Sequence, residues 1–173
     1  MRPIIVDAHE DLANNMLSLG RDYTRSALET RRLEVNNQAA QQSGECLIGW
    51  PEFQQGNIAI VFSTLFVLPG HRVTTGWDSQ VYRNYDEAHD QYMEQVDAYR
   101  RLTGDHPDKF RPIRTASDLD KHLNLWAQPA PETGRPVGMV TLMEGAEGVR
   151  TPAELPEWWE AGVRIIGPAW AGT

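Results

Sequence analysis

The sequence predicts an α/β fold built on a parallel sheet, and three observations carry this. Apolar, β-branched runs recur at residues 4–6, 58–68 and 137–143. The longest is apolar at alternate and intervening positions alike, as a strand covered on both faces requires. Between the runs, apolar residues return at helical spacing, most clearly Tyr85, Ala88, Tyr92, Val96 and Tyr99, which lie on one helix face. The order of these segments alternates strand and helix, the pattern of crossover connections between parallel strands.

The first strand, residues 4–6, runs into Asp7-Ala8-His9-Glu10-Asp11. Side chains that follow such a strand leave the core at its C-terminal end, where α/β folds collect ligands and catalytic groups. His9 and Asp11 are two apart, so on an extended backbone they point the same way. An imidazole nitrogen beside a carboxylate oxygen is half of a divalent-metal site. The same letters also describe a solvated loop, or a histidine held by a carboxylate. Their place directly after a strand brings the metal reading level with these.

Residues 12–19 read as a short helix ending at Gly20, and residues 21–42 as a polar loop with partial helix. Pro51 suits the first turn of a helical segment over residues 50–55, which Gly56 ends. Pro69-Gly70 stops the strand over 58–68, and a loop containing His71 and Trp77 leads to Arg83. The long helix over 85–102 is capped by Asn84 and closed by Gly104. His89, one position off its apolar stripe, is expected on the surface. A short strand over 110–115 precedes a helix from Ser117 to Trp126, with His122 partly exposed beside Leu119, Leu123 and Trp126. Residues 137–143 form a strand closed by Glu144-Gly145. Thr151-Pro152-Ala153-Glu154 has the letters of a capping box, but Pro156 interrupts a clean continuation. The helix is therefore placed over 156–161, with Trp158 and Trp159 on its core face. Residues 163–166 are the last strand.

The chain has 173 residues, enough for one domain with a core. Its net charge is −8 and its isoelectric point near 5.1, which argues against nucleic-acid partners and anionic membrane surfaces. No apolar run approaches the roughly 20 residues of a membrane helix. The N-terminus enters a strand without the form of a signal peptide. The single cysteine, Cys46, cannot form an internal disulfide. A cytoplasmic location is the expectation.

Glu144 follows an apolar strand, as His9 and Asp11 do, and parallel strands end on one face. Taken alone, Glu144 reads as a loop or helix-capping carboxylate. Placed on that face it approaches the His9/Asp11 pair, where a carboxylate can bridge two metals. Here the sequence resembles the membrane (renal) dipeptidase family, peptidase family M19. The similarity is carried by Val6-Asp7-Ala8-His9-Glu10-Asp11-Leu12, Glu94-Gln95-Val96-Asp97, and His106-Pro107-Asp108-Lys109-Phe110 followed by Ala116-Ser117-Asp118-Leu119. Leu142-Met143-Glu144-Gly145, similar to a fourth-strand motif, and Gly162-Val163-Arg164, similar to the entry to a fifth strand, complete it in order.

The resemblance implies the N-terminal part, about five strands, of a (β/α)8 barrel. Residues 1–173 would be a single incomplete metallohydrolase domain whose C-terminal part is absent, since a full barrel takes about 250 residues. It further implies two zinc ions, with His9 and Asp11 on one and Glu144 bridging both. A metal-bound hydroxide would hydrolyse the peptide bond of a dipeptide in the longer parent chain, and residues 1–173 alone would be inactive. Later strands would supply the remaining ligands and the general acid/base. One departure stands out: Trp170 occupies the position of a substrate-contacting histidine, and an indole offers one N–H donor and no base. The alternatives are another metal-dependent amidohydrolase on the same barrel, or a non-catalytic fragment or degenerate homologue. The expected partners are a small-molecule substrate and, through open sheet edges, further copies of the chain in a homo-oligomer.

Overall fold

The chain alternates strand and helix as its periodicities require. The computed structural model describes residues 3–37, 41, 43–73, 76 and 78–170; Trp77 and part of the polar stretch before Gln42 lie outside them. In order come β1 (Ile5–Glu10), α1 (Leu12–Leu19), α2 (Ala27–Glu34), α3 (Trp50–Gly56), β2 (Ile58–Leu65), β3 (Leu68–Pro69), β4 (Val81–Tyr82) and α4 (Tyr85–Asp105). Then follow β5 (Phe110–Pro112), α5 (Ala116–Ala127), β6 (Val137–Met143), α6 (Leu155–Ala161) and β7 (Val163–Ile166). Among the described residues, no helix is long and apolar enough to cross a membrane.

Five strands make one parallel sheet in which β2 lies between β1 and β6. Gly138 and Met139 of β6 pair with β5, while Thr141 to Met143 pair with β7. Both strands therefore share the edge of β6 that faces away from β2. β5, the third strand that the sequence predicts, does not come between β2 and β6. That strand is only three residues long and ends at Pro112, which has no N–H to extend a ladder. It is too short to separate β2 from β6. The sheet runs β1-β2-β6, with β5 and β7 sharing the far edge of β6, and Glu144 follows the fourth of its five strands in chain order.

A large apolar cluster packs Leu12, Phe53, Val61, Tyr92, Met143 and Trp158 together from six elements. A smaller one joins Ala59, Ile60, Ile113 and Trp126. β1 departs from the covered strand that its composition suggests, because Ile5 and Val6 are 47% and 49% exposed. Nothing among the described residues pairs with its outer edge.

Several local expectations change. α2 is a formed helix whose start is capped by Ser26, its hydroxyl accepting from the Glu29 N–H at 3.1 Å. α5 is opened by Thr115 and Asp118, which make a reciprocal capping box. The box spelled by Thr151 and Glu154 does not form. Glu154 instead accepts from the Arg150 backbone N–H at 3.0 Å and its guanidinium at 2.8 Å. Trp158 is buried but Trp159 is exposed, beneath the Arg164 guanidinium at 3.7 Å.

Both helix histidines are buried, against expectation. His89 sits edge-on to Trp158, with Nδ1 2.9 Å from the Gly148 carbonyl. His122 is fully buried, with Nε2 2.8 Å from the Ala59 carbonyl. That contact requires an N–H on Nε2, so Nδ1 is the unprotonated nitrogen, and it has no partner. Burial pushes the His122 pKa down from 6.5. Below pH 6.5 the unfolded chain takes up a proton that the folded chain refuses, so stability falls with pH until the lowered value is reached. Denaturant unfolding between pH 7 and 5 should therefore show a shallower acid loss in His122→Phe than in the wild type. Parallel curves would refute this.

Candidate metal centre

The site is built where β1 and β6 end on the same face of the sheet. β1 continues through His9 to Glu10, so His9 belongs to the strand and Asp11 begins the turn into α1. Asp11 occupies the N-cap position, yet its side chain makes no capping bond. Its carbonyl accepts instead from the Asn15 N–H at 3.2 Å and from Asn15 Nδ2 at 3.0 Å. The carboxylate is left for another use. Beneath it, the Tyr99 hydroxyl donates to the Thr64 carbonyl at 2.7 Å and accepts from the Ala13 N–H at 3.1 Å. This buried clamp ties α4 to the end of β2 and to the start of α1.

Glu144 is the first residue past β6. Its backbone N–H donates to the Leu65 carbonyl at 3.1 Å, holding the strand ends level. His9 Nε2 lies 3.5 Å from Asp11 Oδ2 and 4.0 Å from Glu144 Oε1. One ligand atom from each of His9, Asp11 and Glu144 falls within 4.8 Å of the others. The three sequence-selected residues thus come together from positions far apart in the chain.

The electrostatics of the group are those of carboxylates short of positive charge. Burial raises the Asp11 pKa, while neighbouring His9 lowers it. Burial, then the Asp11 charge, raises Glu144; His9 and a hydrogen bond from Trp170 work the other way. Burial, the Asp7 charge and a hydrogen bond with Asp7 push Glu10 up to about 8. One oxygen of Asp11, Oδ1, is buried without a hydrogen-bond partner. An unpaired buried carboxylate oxygen is costly unless something positive meets it. One imidazole and two carboxylates are also a donor set that zinc accepts. On both counts the residues fit a divalent cation.

Sequence reasoning missed part of this neighbourhood. Glu147 is buried three residues beyond Glu144, with Oε2 3.1 Å from the Tyr92 hydroxyl, which also donates to the Gly145 carbonyl at 3.0 Å. Trp170, expected to face substrate, meets the Phe66 ring edge-on, and its indole works to lower the Glu144 pKa. The density of acidic residues around each strand end was the available signal for Glu10 and Glu147. No local pattern linked Trp170 to Glu144.

No family model and no curated protein matches the sequence. Solved structures do match. The chain is similar to dipeptidase AC, a metallopeptidase of family M19, with a TM-score of 0.60 and 17% identity over 97% of this chain and 43% of that one. It is also similar to a metallopeptidase from Rhodobacter sphaeroides, solved with a phosphinate mimic of the dipeptide L-Ala-D-Ala. There the TM-score is 0.54 and the identity 17%, over 84% of this chain and 43% of that one. A third is the probable dipeptidase PvdM from Pseudomonas aeruginosa, with a TM-score of 0.53 and 19% identity over 72% of this chain and 28% of that one. The fold is accordingly an α/β architecture consistent with part of a TIM-type barrel. The chain spans less than half the length of each of these structures.

Proposed function

We propose that these residues are the N-terminal part of a zinc-dependent dipeptidase of the M19 type, completed by a further stretch of barrel in a longer parent chain. The observation that carries the reading is the convergence of His9, Asp11 and Glu144, from the ends of the two strands that flank β2, within 4.8 Å. Likeness to metallopeptidase structures supports it. His9 and Asp11 would hold one ion and Glu144 would bridge to a second. Three groups are too few for two four-coordinate ions, so the remaining strands would supply the other ligands. When bound, such ions polarise a carbonyl and lower the pKa of water. The chain's own part is to hold the carboxylates in place: Tyr99 fixes the turn that carries Asp11, and the Leu65 carbonyl fixes Glu144. A cavity of about 310 Å³ lies between the loop after β6 and the segment after β7, lined by Glu147, Arg150, Pro168 and Ala169 among others. The lone, buried Cys46 needs no oxidising compartment, which suits a cytoplasmic enzyme.

The test is metal removal in the full-length protein. Dialysis against a chelator should abolish hydrolysis of unblocked dipeptides, and stoichiometric zinc should restore it. Hydrolysis that survives complete removal of metal, or that never occurs with metal present, would end this reading.

A further inference from the structure

We infer that Tyr92 is a positioning residue for Glu144: its buried hydroxyl pins the turn after β6 to α4, as Tyr99 on the same helix pins the turn that carries Asp11. This rests on the reading of Asp11 and Glu144 as metal ligands and goes beyond it.

Tyr92, Gln95 and Tyr99 follow one another at spacings of three and four, so they share one face of α4. All three are buried. Each ends in a polar group at the C-terminal end of a different strand. Tyr99 holds the turn after β1, through the Ala13 N–H and the Thr64 carbonyl. Gln95 extends β2: its Oε1 accepts from the Phe66 N–H at 3.0 Å, and its Nε2 donates to the Phe66 carbonyl at 2.6 Å. Tyr92 reaches the turn after β6, where its hydroxyl lies 3.0 Å from the Gly145 carbonyl and 3.1 Å from Glu147 Oε2. Its one hydrogen is shared between these two acceptors. A helix rises about 1.5 Å per residue, so α4 sets how far apart the three strand ends stand.

The turn after β6 is shaped to the phenol. Gly145 directly follows Glu144, and a Cβ on it would overlap the Glu147 carboxylate. A Cβ on Gly148 would overlap the Tyr92 ring. Backbone and ring therefore approach at a distance that only glycine allows. The Gly148 carbonyl accepts from His89 Nδ1 at 2.9 Å, about one helical turn before Tyr92. Trp158 meets both rings edge-on, with its centroid 5.1 Å from that of His89 and 6.3 Å from that of Tyr92. With Tyr92 fully buried, these contacts hold the phenol in the direction that reaches Gly145.

Glu144 is thereby held from both sides along the chain. Its own N–H donates to the Leu65 carbonyl at 3.1 Å, and the carbonyl of the next residue is held by Tyr92. Without the hydroxyl, the Gly145 carbonyl and the Glu147 carboxylate lose a buried donor. Leaving such acceptors unpaired is costly, so the turn moves to satisfy them and carries Glu144 with it. Groups that orient a metal ligand typically change affinity by 10–100-fold. One that acts through the adjoining backbone takes the lower end of this range.

The experiment uses the full-length protein with Tyr92→Phe and, separately, with Tyr92 replaced by 4-fluorophenylalanine, which fills the place of the hydroxyl and cannot donate. Two controls accompany them. Tyr92 replaced by 4-aminophenylalanine restores a donor, and Leu102→Ala removes buried packing from the same helix. Zinc affinity is read by competition with a chromogenic chelator, and site geometry by the visible spectrum of the cobalt-substituted protein. Both variants without a donor should bind zinc about 10-fold more weakly and alter the cobalt bands. The amino variant should recover both readouts, and Leu102→Ala should lose stability while keeping both. If the wild type binds zinc and the donor-free variants match it, or Leu102→Ala departs from it as far as they do, this inference falls and the metal reading stands. If the folded wild type binds no metal, the metal reading falls and takes this role with it.

Discussion

Glu144→Gln should leave the full-length protein folded and nearly devoid of metal. The amide keeps the shape of the side chain. It removes the charge. An uncharged amide is a poor bridge between two cations, so zinc affinity should fall by more than the roughly 100-fold that marks the upper range for outer hydrogen-bond partners. Hydrolysis should fall with it. Stability should move in the opposite direction in the metal-free protein. Burial and the Asp11 charge both raise the pKa of Glu144, which means that its ionised form is strained where it stands. Neutralising it removes that strain, and the metal-free variant should melt at or above the wild-type temperature. Elemental analysis and a melting curve on the same sample test both halves. Unchanged zinc content in Glu144→Gln would remove Glu144 from the site. A large drop in metal-free stability would mean that the carboxylate is structural.

The convergence behind this expectation was legible in the sequence because it depends on a rule of topology. Residues that directly follow strands of one parallel sheet emerge on one face, so His9, Asp11 and Glu144 were placed together with no knowledge of the sheet order. Their meeting within 4.8 Å needed only that β1 and β6 both flank β2. The order itself was not legible. It turns on β5 being three residues long, and strand length near a proline is poorly marked by composition. His122 was misjudged although Leu119, His122, Leu123 and Trp126 have the spacing of one helix face. The polar character of imidazole outweighed its position, and the Ala59 carbonyl that satisfies it lies 63 residues away. Trp170 was legible as an oddity, but not that the chain leading to it runs against Glu144. That needs the close approach of backbones at Gly167, a property of paired strands and not of a local run. At Thr151 the capping letters were present, but Arg150 engages Glu154 first.

Lysine placed on the exposed faces of the outer strands should have opposite effects in residues 1–173 alone and in the full-length protein. Among the described residues β1 pairs only with β2, and β7 only with β6, so each presents a row of unpaired backbone groups there. Apolar side chains stand in the open beside them: Ile5 and Val6 on β1, and Ile165 on β7. An open, apolar strand edge is a template for pairing with another chain. Residues 1–173 by themselves should therefore run on a sizing column as oligomer or aggregate and show no dipeptide hydrolysis. Val6→Lys with Ile165→Lys blunts both edges by the device that natural sheets use, and should shift this material toward monomer. In a closed barrel the same positions are covered by the strands and helices that complete it. A lysine there must either be buried unpaired or break the closure, at a cost of about 3 kcal/mol or more. The full-length double variant should accordingly unfold at markedly lower denaturant and lose zinc. Tolerance of both lysines in the full-length protein would mean that these faces stay open there, and that the barrel is not closed by the rest of the chain. A monodisperse, active monomer of residues 1–173 would show that this five-stranded sheet and three ligands suffice, and the proposal of an incomplete domain would fall with it.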